Sequence, residues 1–298
     1  MVDRFWPRAD TWLASESSDP RLLVVGVPSS KASLSPSRSD LTPGAVRDRF
    51  WKFSTFHGEH EADLTDVTVR DMGNWPVSEL SMHDMPTMVE DLARGLPETE
   101  LTIYLGGDNA ITRPLARALD DDLSRVGVIT FDAHHDVRSL ENGPTNGTPI
   151  RGLIEEDGLP GRNVAQIGIH SFANSVTYRR YCEEQEIRIY TVGAVEQEGM
   201  HDIVASAFQR LDHCDRIYID VDVDVLDRSV APGCPGSRPG GLTVRQLSEG
   251  VRLAASQRKV RAIDFVEVDP EPDINNVTVD TMAHLVLTAA TGLALRGT

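Results

Sequence analysis

The chain is predicted to be an α/β protein, a three-layer αβα sandwich around a mostly parallel central sheet. Short apolar runs rich in β-branched residues recur along it, and most lead through a turn into a segment of helical periodicity, the signature of βαβ units. Most of these runs lack strict polar alternation, as expected of parallel strands covered by helices on both faces.

The first run is "RLLVVGVP" from Arg21, followed by "PSSKASLSPSRSDLTPG" from Pro28, whose serines and prolines predict a long loop of the kind that often carries function. A helix is predicted over "MPTMVEDLARGL" from Met85, then a strand over "LTIYLGGD" from Leu101 and a helix over "AITRPLARALDDDL" from Ala110. "VGVITF" from Val126 and "VAQIGIHS" from Val164 are strands, and "YRRYCEEQ" from Tyr178 is a helix. "IRIYTVG" from Ile187 and "RIYIDVDVD" from Arg216 flank the helical "DIVASAFQRL" from Asp202. "TVRQLSEGVRLAASQ" starts at a predicted N-cap, Thr243, "RAIDFVEVD" from Arg261 is the last strand, and "DTMAHLVLTAATGLAL" starts at a predicted N-cap, Asp280. No repeat or interdomain linker is visible, so residues 1–298 are expected to form a single domain.

Composition excludes some partners. With 46 acidic and 29 basic residues the net charge is −17, which opposes non-specific binding to nucleic acid or anionic lipid. No apolar run reaches the roughly 20 residues of a membrane span, and "MVDRFWPRADTW" lacks the apolar core of a signal peptide, so a cytoplasmic protein is expected. Cys182, Cys214 and Cys234 lack CxxC spacing and suggest neither disulfides nor a thiolate zinc site.

Ligands of open α/β sheets bind beyond the carboxyl ends of the strands, so the polar residues that follow each apolar run are the functional candidates. Four runs qualify: Gly106-Gly107-Asp108-Asn109; Asp132, His134, His135 and Asp136; Asp220, Asp222, Asp224 and Asp227; and Glu267 with Asp269. Singly, such an aspartate is an ordinary cap or turn former. Together they are more informative, because Asp132, His134 and Asp136 share a face of an extended segment, as do Asp220, Asp222 and Asp224. So many carboxylates without Lys or Arg among them call for cations. Four aspartates and a histidine form a hard set that favours manganese or magnesium over structural zinc, and the count suits two ions that hold and activate a water between them.

"GGDNAIT", "FDAHHD", "DVDVLDRSVAPGCPGSRPGGL" and "VEVDP", in this order, resemble the motifs of the ureohydrolases, the arginase and agmatinase superfamily of binuclear manganese hydrolases. The resemblance runs from about Leu22 to the C-terminus and includes "TPGAVRDRF". It implies the arginase-like sandwich, two Mn2+ ions per subunit and a trimer or hexamer. By motif, Asp132 and Asp222 match the bridging ligands, Asp136 completes one metal site, and His134 and Asp224 complete the other. Glu267 matches the acid that receives the amidine or guanidine nitrogens of the substrate.

Two positions depart from the family pattern. Asn109 stands where the first motif usually has a metal-binding histidine, so the first metal is expected to be held more weakly. Asn146, in "TNGTPIR", stands where a histidine assists proton transfer. The strings "FDAHHDVR", "GPTNGTPIR" and "EVDPEPD" resemble those of the bacterial formimidoylglutamase subgroup, in which Asn at the first position is familiar. That resemblance implies hydrolysis of N-formimidoyl-L-glutamate to L-glutamate and formamide in histidine degradation. Asp136 would relay a proton to the leaving nitrogen, and Glu267 would orient the cationic formimidoyl group. The two substrate carboxylates would need cations, for which Arg138, Arg151 and Arg238 are candidates. The alternatives are an agmatinase or guanidinobutyrase that releases urea, and a non-catalytic metal-binding scaffold. His135 is expected behind the site, His170 and His284 as satisfied buried histidines, and Cys234 as no nucleophile.

Overall fold

The computed structural model describes residues 3–296. Its central sheet has eight strands: β1 (Leu22–Val27), β2 (Val69–Asn74), β3 (Leu101–Gly106), β4 (Val126–Phe131), β5 (Val164–Ile169), β6 (Arg188–Thr191), β7 (Arg216–Asp222) and β8 (Val260–Val266). Their spatial order is β2-β1-β3-β8-β7-β4-β5-β6, and every pairing is parallel. Alternate side chains feed two cores. Ile129, Phe131, Ile217 and Ile219 pack on one face against helices Met200–Arg210, Val244–Ala255 and Val277–Ala294. Val126, Val128 and Tyr218 pack on the other against Met85–Arg94, Thr112–Arg117 and Pro149–Glu155. The result is the predicted three-layer sandwich.

Register places the four candidate motifs side by side. Leu105 pairs with Phe265, Val266 with Asp222, and Val221 with Phe131. The ends of β3, β8, β7 and β4 therefore lie at one level. At neighbouring-strand spacings of about 4.8 Å, the polar residues that follow them can meet.

Several elements differ from their sequence prediction. β2 went unpredicted because "VRDMGN" is polar; it is an edge strand, and the Arg47 guanidinium binds Asp71 through two bonds of 2.7 Å beside it. The helix predicted after "GGDN" is a short 3-10 turn, Asn109–Ile111, followed by Thr112–Arg117. The last helix starts at Val277 with Asn276 as N-cap, so Asp280 is no cap; it sits in the first turn and takes Arg49 and Lys52 as partners. Thr243 does cap its helix, in a reciprocal box with Gln246. Val277–Ala294 is apolar and 18 residues long, with most of it buried against Val244–Ala255 and the sheet.

The Ser/Pro-rich loop is fastened to the sheet ends. Asp108 accepts from Ser29 Oγ and from the Ala32 amide, Asp269 accepts from the Arg38 amide, and Thr42 Oγ1 donates to the Val268 carbonyl. Gly107 permits this approach: a Cβ there would lie 1.9 Å from the Ser29 carbonyl oxygen.

Candidate metal centre

Asp132, Asp136, Asp222, Asp224 and Glu267 are all buried at the carboxyl edge of β4, β7 and β8. Among the described residues no lysine or arginine side chain bonds to any of these carboxylates; the Arg151 backbone amide donates to the Asp136 carbonyl. His134 Nδ1 lies 2.8 Å from Asp224 Oδ2 and 3.6 Å from Asp132 Oδ1, and one donor atom from each of these three residues falls within 4.8 Å of the others.

Their convergence is not that of a single extended segment. β4 ends at Phe131, and the chain bends before Asp136, which has φ 51°. β7 ends at Asp222, and Asp224 lies in a 3-10 turn whose amide donates to Asp222 Oδ1 at 2.8 Å. Glu267 also has a left-handed φ, 67°. Non-glycine residues held in this region are costly and concentrate where surrounding structure fixes a functional geometry.

Burial, with the Asp224 charge second, pushes Asp132 up to about 6. Burial likewise holds Asp136 and Asp222 well above the ordinary aspartate range, with the Asp132 charge second for Asp136 and the Asp224 charge second for Asp222. Asp224 is lowered: burial opposes ionisation, but His134 beside it prevails. The Asp224 charge in turn raises His134 to about 12 against its own burial. Burial and Asp108 lift Glu267 to about 8. A set of hard donors crowded in this way, with one imidazole as its nearest cationic partner, fits a divalent cation.

Asn109, 1 % exposed, joins from the β3 side, with Nδ2 2.5 Å from Asp136 Oδ2 and Oδ1 2.6 Å from Thr112 Oγ1. Its backbone amide donates to Glu267 Oε1 at 2.7 Å, and Asn146 Nδ2 donates to the same oxygen at 3.0 Å. Asn146 Oδ1 accepts from the Leu34 amide, so this side chain ties Glu267 to the long loop.

The three arginines separate. Arg151 is committed: Nε donates to the Val137 carbonyl, and its guanidinium lies 4.1 Å from the centre of the Tyr181 ring. Arg138 is exposed, and its side chain has no hydrogen-bonding or ionic partner among the described residues. Its stem crosses Gly147, where a Cβ would lie 2.5 Å from Arg138 Cδ, one residue from Asn146. The Arg238 side chain, in the loop after β7, is also exposed and has no partner among the described residues.

His135 lies behind the cluster, with Nδ1 2.7 Å from Gln166 Oε1. His170 is buried with Nε2 at the Val225 carbonyl, while its Nδ1 has no partner among the described residues. His284 is half-buried and not fully buried as expected; it meets the Ser248 hydroxyl and borders a cavity of about 740 Å³ also lined by His57, His60 and Arg252. None of that cavity's lining residues belongs to the carboxylate cluster. Cys234 is buried, and its thiol is pushed up by burial, which leaves it unreactive. Sequence reasoning missed the supporting roles of Thr112 and Asp264. Thr112 Oγ1 lies 2.6 Å from Asp264 Oδ2, to which Tyr218 Oη also donates. The one available signal was the polar Asp264 inside the apolar run "AIDFV".

The profile of the Arginase family matches residues 20–292. The formimidoylglutamase of Halalkalibacterium halodurans is 37% identical over 278 residues, which cover 92% of this chain and 87% of that protein. The crystal structure of Bacillus subtilis formimidoylglutamase superposes with a TM-score of 0.94 at 33% identity, covering 100% of this chain and 95% of that one. Trypanosoma cruzi formiminoglutamase with Mn2+ has the same fold, with a TM-score of 0.87 at 21% identity and 98% and 99% coverage. With the eight parallel strands in place and a carboxylate cluster at their ends, these matches make the chain a member of the arginase family.

Proposed function

We propose that this protein is a binuclear manganese hydrolase that cleaves the C–N bond of a linear amidine, converting N-formimidoyl-L-glutamate and water to L-glutamate and formamide. The geometric observation that carries the proposal is the gathering of Asn109, Asp132, His134, Asp136, Asp222 and Asp224 at the ends of β3, β4 and β7, with no lysine or arginine side chain bonded to the carboxylates among the described residues. Similarity to formimidoylglutamases along almost the whole chain supports the substrate.

In this proposal Asn109, Asp132, His134, Asp136, Asp222 and Asp224 would hold two Mn2+ ions, with Asn109 and Asp136 serving one, His134 and Asp224 the other, and Asp132 and Asp222 available to both. When bound, manganese neutralises the carboxylates and lowers the pKa of a water at the site. Asp136 carries the proton of the attacking water to the leaving nitrogen, a role that Asn146 lacks the chemistry to fill. The Glu267 carboxylate, held by the Asn109 amide and by Asn146, pairs with the cationic formimidoyl group and fixes the attacked carbon. Asn146 thus acts on the substrate through Glu267. Arg138 is the favoured partner of the substrate carboxylates, since its guanidinium is uncommitted and lies over the loop that carries Asn146, with Arg238 second. Arg151 is excluded as primary partner by its bonds to Val137 and Tyr181.

The proposal further treats residues 1–298 as one ureohydrolase-type domain in a trimeric or hexameric cytoplasmic enzyme. The buried, unpaired Cys182, Cys214 and Cys234 accord with a reducing compartment. The decisive experiment supplies purified protein at saturating Mn2+ with formimidoylglutamate, agmatine and guanidinobutyrate, and scores formamide against urea. Formamide from the first substrate is expected. Urea from a guanidine, with formimidoylglutamate untouched, would replace the substrate assignment, and no turnover at full loading would indicate a scaffold.

A further inference from the structure

Thr112 is buried between Asn109 and Asp264, and its hydroxyl lies 2.6 Å from an oxygen of each. A hydroxyl has one proton, so it cannot donate to both Asn109 Oδ1 and Asp264 Oδ2. Tyr218 Oη already donates to the same Asp264 oxygen at 2.7 Å, which marks Asp264 as the acceptor of this group. The conflict disappears when the Asn109 amide is turned over, because its two ends have nearly the same shape. Nδ2 then donates to Thr112 Oγ1, and Thr112 donates to Asp264, so each proton has one acceptor. The turn brings Asn109 Oδ1 to the position 2.5 Å from Asp136 Oδ2 that Nδ2 holds here. Two oxygens at that separation repel each other unless a proton or a cation lies between them.

The amide therefore has two orientations with different partners. With nitrogen toward Asp136, the carboxylate is satisfied and Thr112 is asked for two protons. With oxygen toward Asp136, every proton of the Thr112–Asp264–Tyr218 chain has an acceptor and the pair of oxygens invites a metal. We propose that Thr112, oriented by Asp264 and Tyr218, is a positioning residue that selects the amide orientation in which the Asn109 oxygen faces the cation. This rests on the two-metal assignment made above. It explains how a neutral side chain that can present either a donor or an acceptor becomes a dependable ligand: the wrong end is penalised from behind. The local sequence suits the task, since the turn Asn109–Ile111 places position 112 under the side chain of position 109.

The test is a Mn2+ titration of the metal-free protein, followed by the spin-resonance signal of free Mn2+ and by calorimetry, on wild type, Thr112→Val and Thr112→Ser. Thr112→Val retains shape and loses the hydroxyl. It is expected to weaken the second Mn2+ equivalent about tenfold, within the range found for partners that orient metal ligands, and to leave the first unchanged. Thr112→Ser should restore wild-type binding. In an Asn109→Asp background, where both ends are oxygen, Thr112→Val should lose its effect on the second equivalent. Equal second-equivalent affinity in wild type and Thr112→Val, with two ions bound in each, overturns the role of Thr112 and leaves the two-metal assignment intact. A wild type that binds fewer than two ions overturns both. Should Thr112→Val not fold, asparagine-labelled wild-type protein loaded with Mg2+ decides by nuclear Overhauser contacts. Asn109 amide protons close to the Thr112 side chain are expected in the loaded protein, and their absence there overturns the proposal.

Discussion

Gly236 lies where one methyl group should disturb a proposed metal ligand, Asp224, with little effect on the fold. A Cβ built on it would be 2.3 Å from Asp224 Oδ2, while its φ lies outside the left-handed region, so alanine is sterically acceptable to the backbone itself. The carboxylate is the movable partner, and relieving the contact requires it to retreat by about 1 Å, a displacement that can cost about 100-fold in rate. That retreat acts on the oxygen 2.8 Å from His134 Nδ1, while the other Asp224 oxygen is held by the Ala133 amide at 3.1 Å. Gly236→Ala is therefore expected to lower kcat about 100-fold and to weaken Mn2+ at the His134 and Asp224 site by about 10- to 100-fold. Its metal-free melting temperature should stay near that of wild type, because alanine also restricts the unfolded chain. The assays are formamide release at several Mn2+ concentrations, a Mn2+ isotherm and a thermal melt of the chelated protein. Rates and isotherms within about twofold of wild type would refute the argument that Asp224 must hold its present position.

Other consequences can be checked with the same tools. Arg138→Ala should raise KM for formimidoylglutamate by about 10- to 100-fold, the worth of a charge-assisted hydrogen bond of about 1.5–3 kcal/mol, with a smaller effect on kcat; an unchanged KM would pass the role to Arg238. Asn146→Ala removes one of two donors to Glu267 Oε1 and is expected to reduce kcat/KM by about fivefold, for a net hydrogen bond of about 1 kcal/mol, without altering Mn2+ stoichiometry. Burial raises Asp264 to about 6, so between its unfolded value near 4 and pH 6 the folded state keeps a proton that the unfolded state has lost. Its contribution to stability is then full below about pH 4 and is lost as pH rises through 6; Asp264→Asn should flatten that part of the melting-temperature profile. Chelation should abolish turnover and lower the melting temperature at pH 7, and Mn2+ should restore both.

The strands around the site were legible because each is an apolar run that ends in carboxylates, and β3, β4, β7 and β8 appear where the sequence predicted them. β2 was not, since an edge strand with Arg70, Asp71 and Asn74 carries no apolar signal and is held largely by its neighbour and by Arg47. The metal candidates were also legible as residue types. The way they meet was not: period-two alternation stops at Phe131 and at Asp222, and the bend before Asp136 and the turn at Asp224 complete the convergence. Donor counts at Asn109 require a neighbour 155 positions away, Asp264, which no local pattern announces. Commitment of Arg151 to Tyr181 is likewise a tertiary fact.

The order of strands has a temporal consequence. β8 is the last strand in the sequence, yet it lies between β3 and β7 in the middle of the sheet. A nascent chain that has emerged only as far as Gln257 has the pieces on both flanks and nothing to join them, and it also lacks Glu267. During synthesis the carboxylates of β4 and β7 must wait, unaligned with β3, until β8 inserts. Loading of the proposed metal centre is thus expected only after β8 has inserted.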